Sequence, residues 1–402
     1  MAWTPRRVRS GSAQDRGNQM PKTSLFISAA FAATLAIAGG AAADPLASPS
    51  MSGPPAANPS PTSFDAGPFG QVYIGGVATG LGLAQNNPAP GDDDARGDVS
   101  NAQLFIQTTE GPVQFFVQAG TYSIPSLGLP YADASTVTEG TFGAVPVAYV
   151  KLVPNEQISI LAGKLPTLVG AEYTFTFQNM NIARGLLWNQ EPAVSRGVQV
   201  NYASGPVSAS VSWNDGYYSD RANWVSAAVS YTASPSDVIS VIGATSLSTN
   251  TRASFATPPL QNNSSIFNVI WTHTSGGLTI VPYLQYSQVE ADEELGITDE
   301  GSTLGAAVLA KYAVTPEFSL AARAEYISSS GDAASGAPNL LYGAGSKAFS
   351  ATVTPTWQKG VLFVRGELSY VRLSDFESGL GFGGAGEDRN QVRAMAEAGI
   401  LF

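Results

Sequence analysis

The last twelve residues, Gln391 to Phe402, alternate without a break and end on an aromatic ring. Val392, Ala394, Ala396, Ala398, Ile400 and Phe402 fall on one side, and Gln391, Arg393, Met395, Glu397, Gly399 and Leu401 on the other. A period of two is that of a β-strand with one apolar and one largely polar face. A terminal strand of this form is the form of the signal carried by outer-membrane barrels. One strand proves little, so the rest of the chain must supply the others.

The beginning of the chain agrees with its end. Leu25 to Ala38 is an apolar stretch of fourteen residues behind Lys22, and Ala41-Ala42-Ala43 offers small residues for cleavage before Asp44. Residues 1–43 therefore read as a secretory signal peptide, with Met20 the expected start because Met1 to Gln19 would make the basic region unusually long. Arg6 and Arg7 lie too far from the apolar stretch for a twin-arginine signal. No other segment approaches the eighteen or so consecutive apolar residues a membrane-spanning helix needs. An exported chain running from about Asp44 is expected.

Cysteine is absent, which removes disulfides and thiolate chemistry, and the net charge of −11 argues against nucleic acid as a partner. Only 13% of residues are charged, whereas 42 are glycine and 10% are aromatic. That balance suits an all-β chain whose two faces meet different solvents.

Residues 44–68 carry seven prolines and are expected to form an extended periplasmic tether. From residue 69 onward sixteen candidate strands follow, near 70–81, 101–109, 113–122, 145–153, 157–165, 196–203, 207–214, 223–232, 238–246, 265–274, 278–288, 303–312, 318–328, 347–357, 361–372 and 391–402. Seven connections are short, among them Glu110-Gly111-Pro112 and Ser275-Gly276-Gly277, and the other eight are longer and polar. An even strand count with short turns on one side and long loops on the other is the arrangement of a transmembrane antiparallel up-and-down β-barrel. A soluble sandwich could show similar strands. The aromatics decide: Tyr202, Trp213, Tyr231, Trp271, Tyr286, Tyr312, Tyr326, Trp357, Tyr370 and Phe402 lie on apolar faces near strand ends. Tyr and Trp favour the two membrane–water boundaries, whereas a sandwich core gathers its rings mid-strand. Closure also satisfies every backbone group in lipid, and a barrel this wide is expected to hold an aqueous lumen.

The opposite faces describe that lumen. Gln103, Gln107, Gln114, Gln118, Gln199, Asn201, Ser208, Ser210, Ser212, Asn214, Ser350, Thr352, Thr354 and Thr356 give a mostly uncharged wall. Lys151, Lys311, Arg323, Glu325, Arg365, Glu367, Arg393 and Glu397 add charges, either merely solvated and paired or setting a transverse field and an ion preference. Alternation leaves the face of Lys164 undecided. The connection Pro166 to Ser195 carries Tyr173, Phe175, Phe177, Met180, Ile182, Leu186, Leu187 and Trp188, too much apolar material for a solvated loop. It reads as folded into the barrel, with Glu172, Arg184, Glu191 and the adjoining Arg196 at a pore constriction. Packing over the rim or into a subunit contact is the alternative.

Within this region lie Pro166-Thr167-Leu168-Val169-Gly170-Ala171-Glu172, then Asn179-Met180-Asn181-Ile182-Ala183-Arg184-Gly185, Pro192, and Gly197 to Tyr202, continued by Asn214-Asp215-Gly216. Over roughly residues 157 to 225 this pattern resembles the OmpL-like β-barrel porin family. Family members commonly carry Ser beside the arginine, where this chain has Ala183 and Gly185. The resemblance implies a general diffusion channel in the outer membrane.

Other chemistries are poorly supported. The single histidine, His273, shares a face with Phe267, Val269 and Trp271, which leaves neither a histidine metal cluster nor an evident nucleophile partner. Asp92-Asp93-Asp94 and Asp292-Glu293-Glu294 lack a ligand loop of defined spacing and read as solvated acidic loops. The sequence thus predicts a porin passing small hydrophilic solutes, with a non-conducting structural or adhesion barrel as the runner-up. No enzyme, cofactor or metal is expected. Expected partners are outer-membrane lipid, the barrel assembly machinery through the Phe402 strand, and sister subunits in a homo-trimer.

Overall fold

The computed structural model describes residue 46 and residues 48–402, apart from the Phe69 side chain. The expected signal peptide lies outside the described residues. Seventeen strands form one sheet. They are β1 Thr62–Asp65, β2 Gln71–Gln85, β3 Ala95–Thr108, β4 Val113–Tyr122, β5 Val147–Asn155, β6 Ile158–Pro166, β7 Val194–Ser204, β8 Val207–Asn214 and β9 Trp224–Ser234. The rest are β10 Asp237–Ser246, β11 Ser264–Ser275, β12 Leu278–Val289, β13 Gly301–Ala313, β14 Phe318–Ser329, β15 Lys347–Lys359, β16 Leu362–Ser374 and β17 Asn390–Leu401.

From β2 to β17 each strand pairs antiparallel with the next, and β17 returns to β2 from Arg393↔Gln85 to Leu401↔Val77. The result is a closed sixteen-stranded barrel, which leaves no sheet edge in the hydrocarbon. All sixteen expected strands are present. The first two run further than expected, past a register shift between Thr79 and Gly80, because Leu81 and Leu83 continue the inward alternation.

Alternation fixes the two faces. Leu104, Val150, Val198, Leu284, Leu304 and Leu368 are exposed on the outside with Tyr202, Trp213, Tyr231, Trp271, Tyr286, Tyr312 and Tyr326, the belt that lipid requires. On β17 and the residue after it, Val392, Ala394, Ala396, Ala398, Ile400 and Phe402 point outward while Gln391, Arg393, Met395, Glu397 and Leu401 are buried. Lys164 sits near the outer rim, where its Nζ donates to the carbonyls of Phe142 (3.0 Å) and Val145 (2.8 Å).

The proline-rich segment departs from a free tether. Prolines stop at Pro61 and resume at Pro68, so Thr62–Asp65 keep their N–H groups and form β1. β1 pairs Thr62↔Ile74 to Asp65↔Gln71, the stretch of β2 below the point where β17 ends. Residues 48–52 lie in the periplasmic mouth, bonded to Gln107, Gln178 and Lys311.

Candidate functional site in the barrel interior

The connection between β6 and β7 enters the barrel. Its apolar residues divide between two clusters. Phe175 and Phe177 pack with Phe105, Phe116, Tyr122 and Phe363; Met180, Ile182, Leu186 and Leu187 pack with Leu81, Leu83, Tyr283, Leu309 and Ile327. The Tyr122 and Phe175 rings meet edge to face at 5.0 Å, and Phe105 and Phe177 lie 5.6 Å apart. This burial is what an apolar connection on a polar wall needs to stay inside. The alternative placements, over the rim or in a subunit contact, are not what the chain adopts.

Charges on the wall hold the connection rather than facing it across water. Arg323 donates to the Glu172 carboxylate at 2.6 Å and to the Ala183 carbonyl at 2.9 Å. Glu325 accepts from the Leu186 and Leu187 amides (3.0 and 3.3 Å) and from Ser350 (2.6 Å). Glu367 accepts from the Ile182 and Ala183 amides and from Thr354. Arg365 pairs with Glu397 (2.7 Å) and reaches the Asn179 carbonyl, while Glu397 also accepts from Ser100 and Thr176, each at 2.6 Å. Arg393 holds Gln85 and the carbonyls of Ser126 and Leu129. These six residues are therefore paired or hydrogen-bonded, the first of the two alternatives considered above for the wall charges. Buried charges must be paired and hydrogen-bonded, and the partners available were the connection's own amides and carboxylates. The wet wall shrinks correspondingly: Thr354 bonds to Asn181, and Gln118 to Gln103 and on to Asn101.

The four expected constriction residues separate into four placements. Glu172 is the acidic half of the Arg323 clamp and accepts from the Gly185 amide at 2.8 Å. Arg184 is fully buried and donates to the carbonyls of Tyr173, Thr174, Asn181 and Ile182, so it staples the connection to itself. Asn179 does the same work, bonding Tyr173 and Phe175. Gly185 is explained as well: a Cβ there would lie 2.1 Å from Glu325 Oε1, so no serine fits while both carboxylates converge on this turn. Glu191 is buried, and among the described residues its carboxylate has only the Tyr283 hydroxyl, at 3.5 Å, on one oxygen. Desolvation first, then Glu172 and Glu325, hold its carboxyl well above the usual range. Arg196 does not belong with them. Its guanidinium binds Asp215 (2.8 Å) and Asp220 (2.9 Å) and lies 3.9 Å over the Tyr218 ring, all in an outer loop. Adjacency in sequence suggested the constriction, but the side chain turns away to the rim acids.

The clamps press the connection onto β14–β17, β2 and β3. On the other side, beside β9–β13, they leave a cavity of about 420 Å³. Its wall carries Ser230, Ser240, Thr272, Thr274 and Thr279 together with Val238, Ile242, Ile270, Val281 and Leu309; Lys311 stands at the mouth. The N-terminal segment forms its floor. Ser48 and Ser50 carbonyls accept from Gln107 (2.6 Å) and Gln178 (2.9 Å), and the Ser52 amide donates to the Gln178 carbonyl (2.7 Å). Sequence reasoning missed this floor and the hydroxyl wall, although inward parity at Thr274 and Thr279 could have marked the latter. Lys151 also faces inward near this mouth and makes no hydrogen bond or ion pair with the described residues.

His273 bonds Asp237 at 2.8 Å beside the exposed Trp271, and among the described residues no hydroxyl nucleophile is hydrogen-bonded to it. Asp92 accepts from Gln85, Arg96 and the Tyr131 amide, which makes it a brace for the outer loops.

The family described as "Putative beta-barrel porin-2, OmpL-like" matches residues 71–402. Among solved structures, OmpT of Vibrio cholerae is 14% identical with a TM-score of 0.54, covering 85% of this chain and 100% of that one. The anion-selective porin from Comamonas acidovorans is 14% identical with a TM-score of 0.55, covering 82% and 99%. Salmonella typhi OmpF, in complex with daunomycin, is 13% identical with a TM-score of 0.55, covering 85% and 100%. At these identities the likeness is one of fold. No protein of curated function matches the chain.

Proposed function

The chain belongs to the OmpL-like β-barrel porin-2 family, and on that premise we propose that small hydrophilic solutes cross it beside β9–β13, past a constriction formed by the inserted connection. The protein is an outer-membrane porin, a passive diffusion channel. Family and fold are those of a channel rather than of an enzyme. A non-conducting adhesion barrel is the reading not favoured.

One observation carries the proposed path. The ion pairs that bind the connection lie on one side of the lumen, while the opposite wall lines a cavity with hydroxyls that, among the described residues, bond only to one another, Ser230 to Ser240 and Thr274 to Thr279. Gradient-driven passage needs only such a wet wall and a satisfied backbone, with no cofactor. Passage then depends on the space between Met180 or Tyr173 and the β9–β13 wall, so solutes are small. Stepwise conductance of the purified barrel in planar bilayers tests this, and ion-tight bilayers after verified insertion would sink it. We further propose a homo-trimer, the form in which one Vibrio cholerae OmpT structure is described, and delivery to the barrel assembly machinery by the β17 strand ending in Phe402. Cross-linking in membranes distinguishes a trimer from a single barrel.

A further inference from the structure

The inward charges are not evenly balanced. Glu172, Glu325, Glu367 and Glu397 are each matched by an arginine or by backbone amides, and Glu191 is sealed behind Tyr283. Lys311 and Lys151 are different. Neither has a carboxylate partner among the described residues, and both face inward in the periplasmic half of the barrel. A chain of net charge −11 thus presents a positive mouth to solutes inside it.

The wall behind Lys311 is layered. Thr274, Thr279 and Lys311 are lateral neighbours, from the pairs Thr274↔Thr279 and Thr279↔Lys311. Two residues deeper, roughly 7 Å along the strands, Val281↔Leu309 form the next row, with Ile270 and Ile242 beyond. A cation flanked by hydroxyls therefore opens directly onto an aliphatic surface. The volume of about 420 Å³ lies in the range of small-molecule sites, about 300–1,000 Å³.

The protein's own chain already occupies the polar end. Lys311 Nζ donates to the Ser52 carbonyl at 2.5 Å, and it approaches so closely that a Cβ on residue 53 would lie 2.7 Å away. Gly53 has φ of +68°, so a glycine serves both needs. The Ser52 oxygen stands where an oxygen of a solute anion would sit.

We propose that this cavity is a binding site for small aliphatic monocarboxylates, with the carboxylate on Lys311, Thr274 and Thr279 and the chain along Leu309, Val281 and Ile270. The Ser52 carbonyl holds the anion's place until a solute displaces it. This rests on the reading of the barrel as a solute channel and names the class of solute it retains on the way. Apolar burial favours a chain over acetate, and the charge-assisted bond favours the acid over its amide.

The test is calorimetric binding to the folded, detergent-solubilised full-length barrel, which needs no conduction. Hexanoate, acetate and hexanamide are the probes. Hexanoate should bind more tightly than either of the others. Lys311→Gln should weaken hexanoate about tenfold, the size of one charge-assisted hydrogen bond, and leave hexanamide unchanged. Leu309→Ser should weaken hexanoate and spare acetate. Equal binding of acid and amide, or indifference to Lys311→Gln with the heat-modifiable barrel intact, overturns the site. Absence of single-channel currents would instead remove the channel reading and leave the binding result standing.

Discussion

Removing the Arg323 guanidinium is the sharpest perturbation of the lumen. Arg323→Ala leaves Glu172 and Glu325 buried without their shared cation, although both keep amide donors on the connection. Taking away one partner of a buried ion pair costs about 3–5 kcal/mol, because the remaining charge is uncompensated. The barrel has sixteen paired strands to stay closed with, so the cost falls on docking of the connection. A shift of that size raises the undocked population about a hundredfold to several thousandfold. Trypsin reads it directly, since Arg184 is the sole Lys or Arg from Pro166 to Ser195 and is fully buried when docked. Cleavage after Arg184 tracks the open population when reclosing is fast. Single-channel conductance should rise in parallel. Adding Glu172→Gln to Arg323→Met removes both charges and should restore much of the protection, with a coupling of about 0.5–3 kcal/mol. Cleavage in Arg323→Ala within tenfold of wild type, with heat-modifiable migration retained, would refute the clamp.

Glu191→Gln should stabilise docking at neutral pH. A carboxyl whose pKa is raised in the docked state docks best when protonated, so docking weakens as pH rises above the ordinary carboxylate range towards the raised value. The ratio of tryptic rates, wild type over Glu191→Gln, should climb with pH; a flat ratio refutes it. Deleting residues 172–188 removes the filler and its clamps, so liposome swelling should admit larger solutes; an unchanged size cutoff would place the barrier elsewhere. Deleting Phe402 takes away two backbone hydrogen bonds to Gly76 together with the terminal ring, and replacing it by Asp removes the ring and puts a charge on the lipid face. Membrane yield should drop sharply, and normal assembly would show that the terminal aromatic is dispensable.

The barrel was legible because its rules are local. Alternation from Gln391 to Phe402, repeated fifteen times upstream, gives strands, faces and the lipid belt from neighbours two apart. The apolar run from Tyr173 to Trp188 announced an inward connection for the same reason. What that connection touches was not legible: Glu172 meets Arg323 across 151 residues, and parity says only that both face inward. Hence the clamps looked like opposed walls of a gap. Arg196 shows the converse error, since proximity in sequence hid the pull of Asp215 and Asp220. Prolines argue against regular pairing in this segment but could not reveal that Ser48, Ser50 and Ser52 would find hydrogen-bond partners inside the mouth.

The clamps also impose an order of events. The wall charges that fix the connection, Arg323, Glu325, Arg365, Glu367 and Glu397, come from β14, β16 and β17, the last quarter of the chain to emerge, while the connection itself precedes β7. Contacts so distant along the chain form late, after the loop-closure entropy has been overcome. Until β17 meets β2, residues 173–188 have no home and stand as naked apolar chain in an aqueous compartment. A stall near the C terminus thus yields an adhesive intermediate rather than a leaky pore. The time between export and closure is when this protein most needs a holding chaperone.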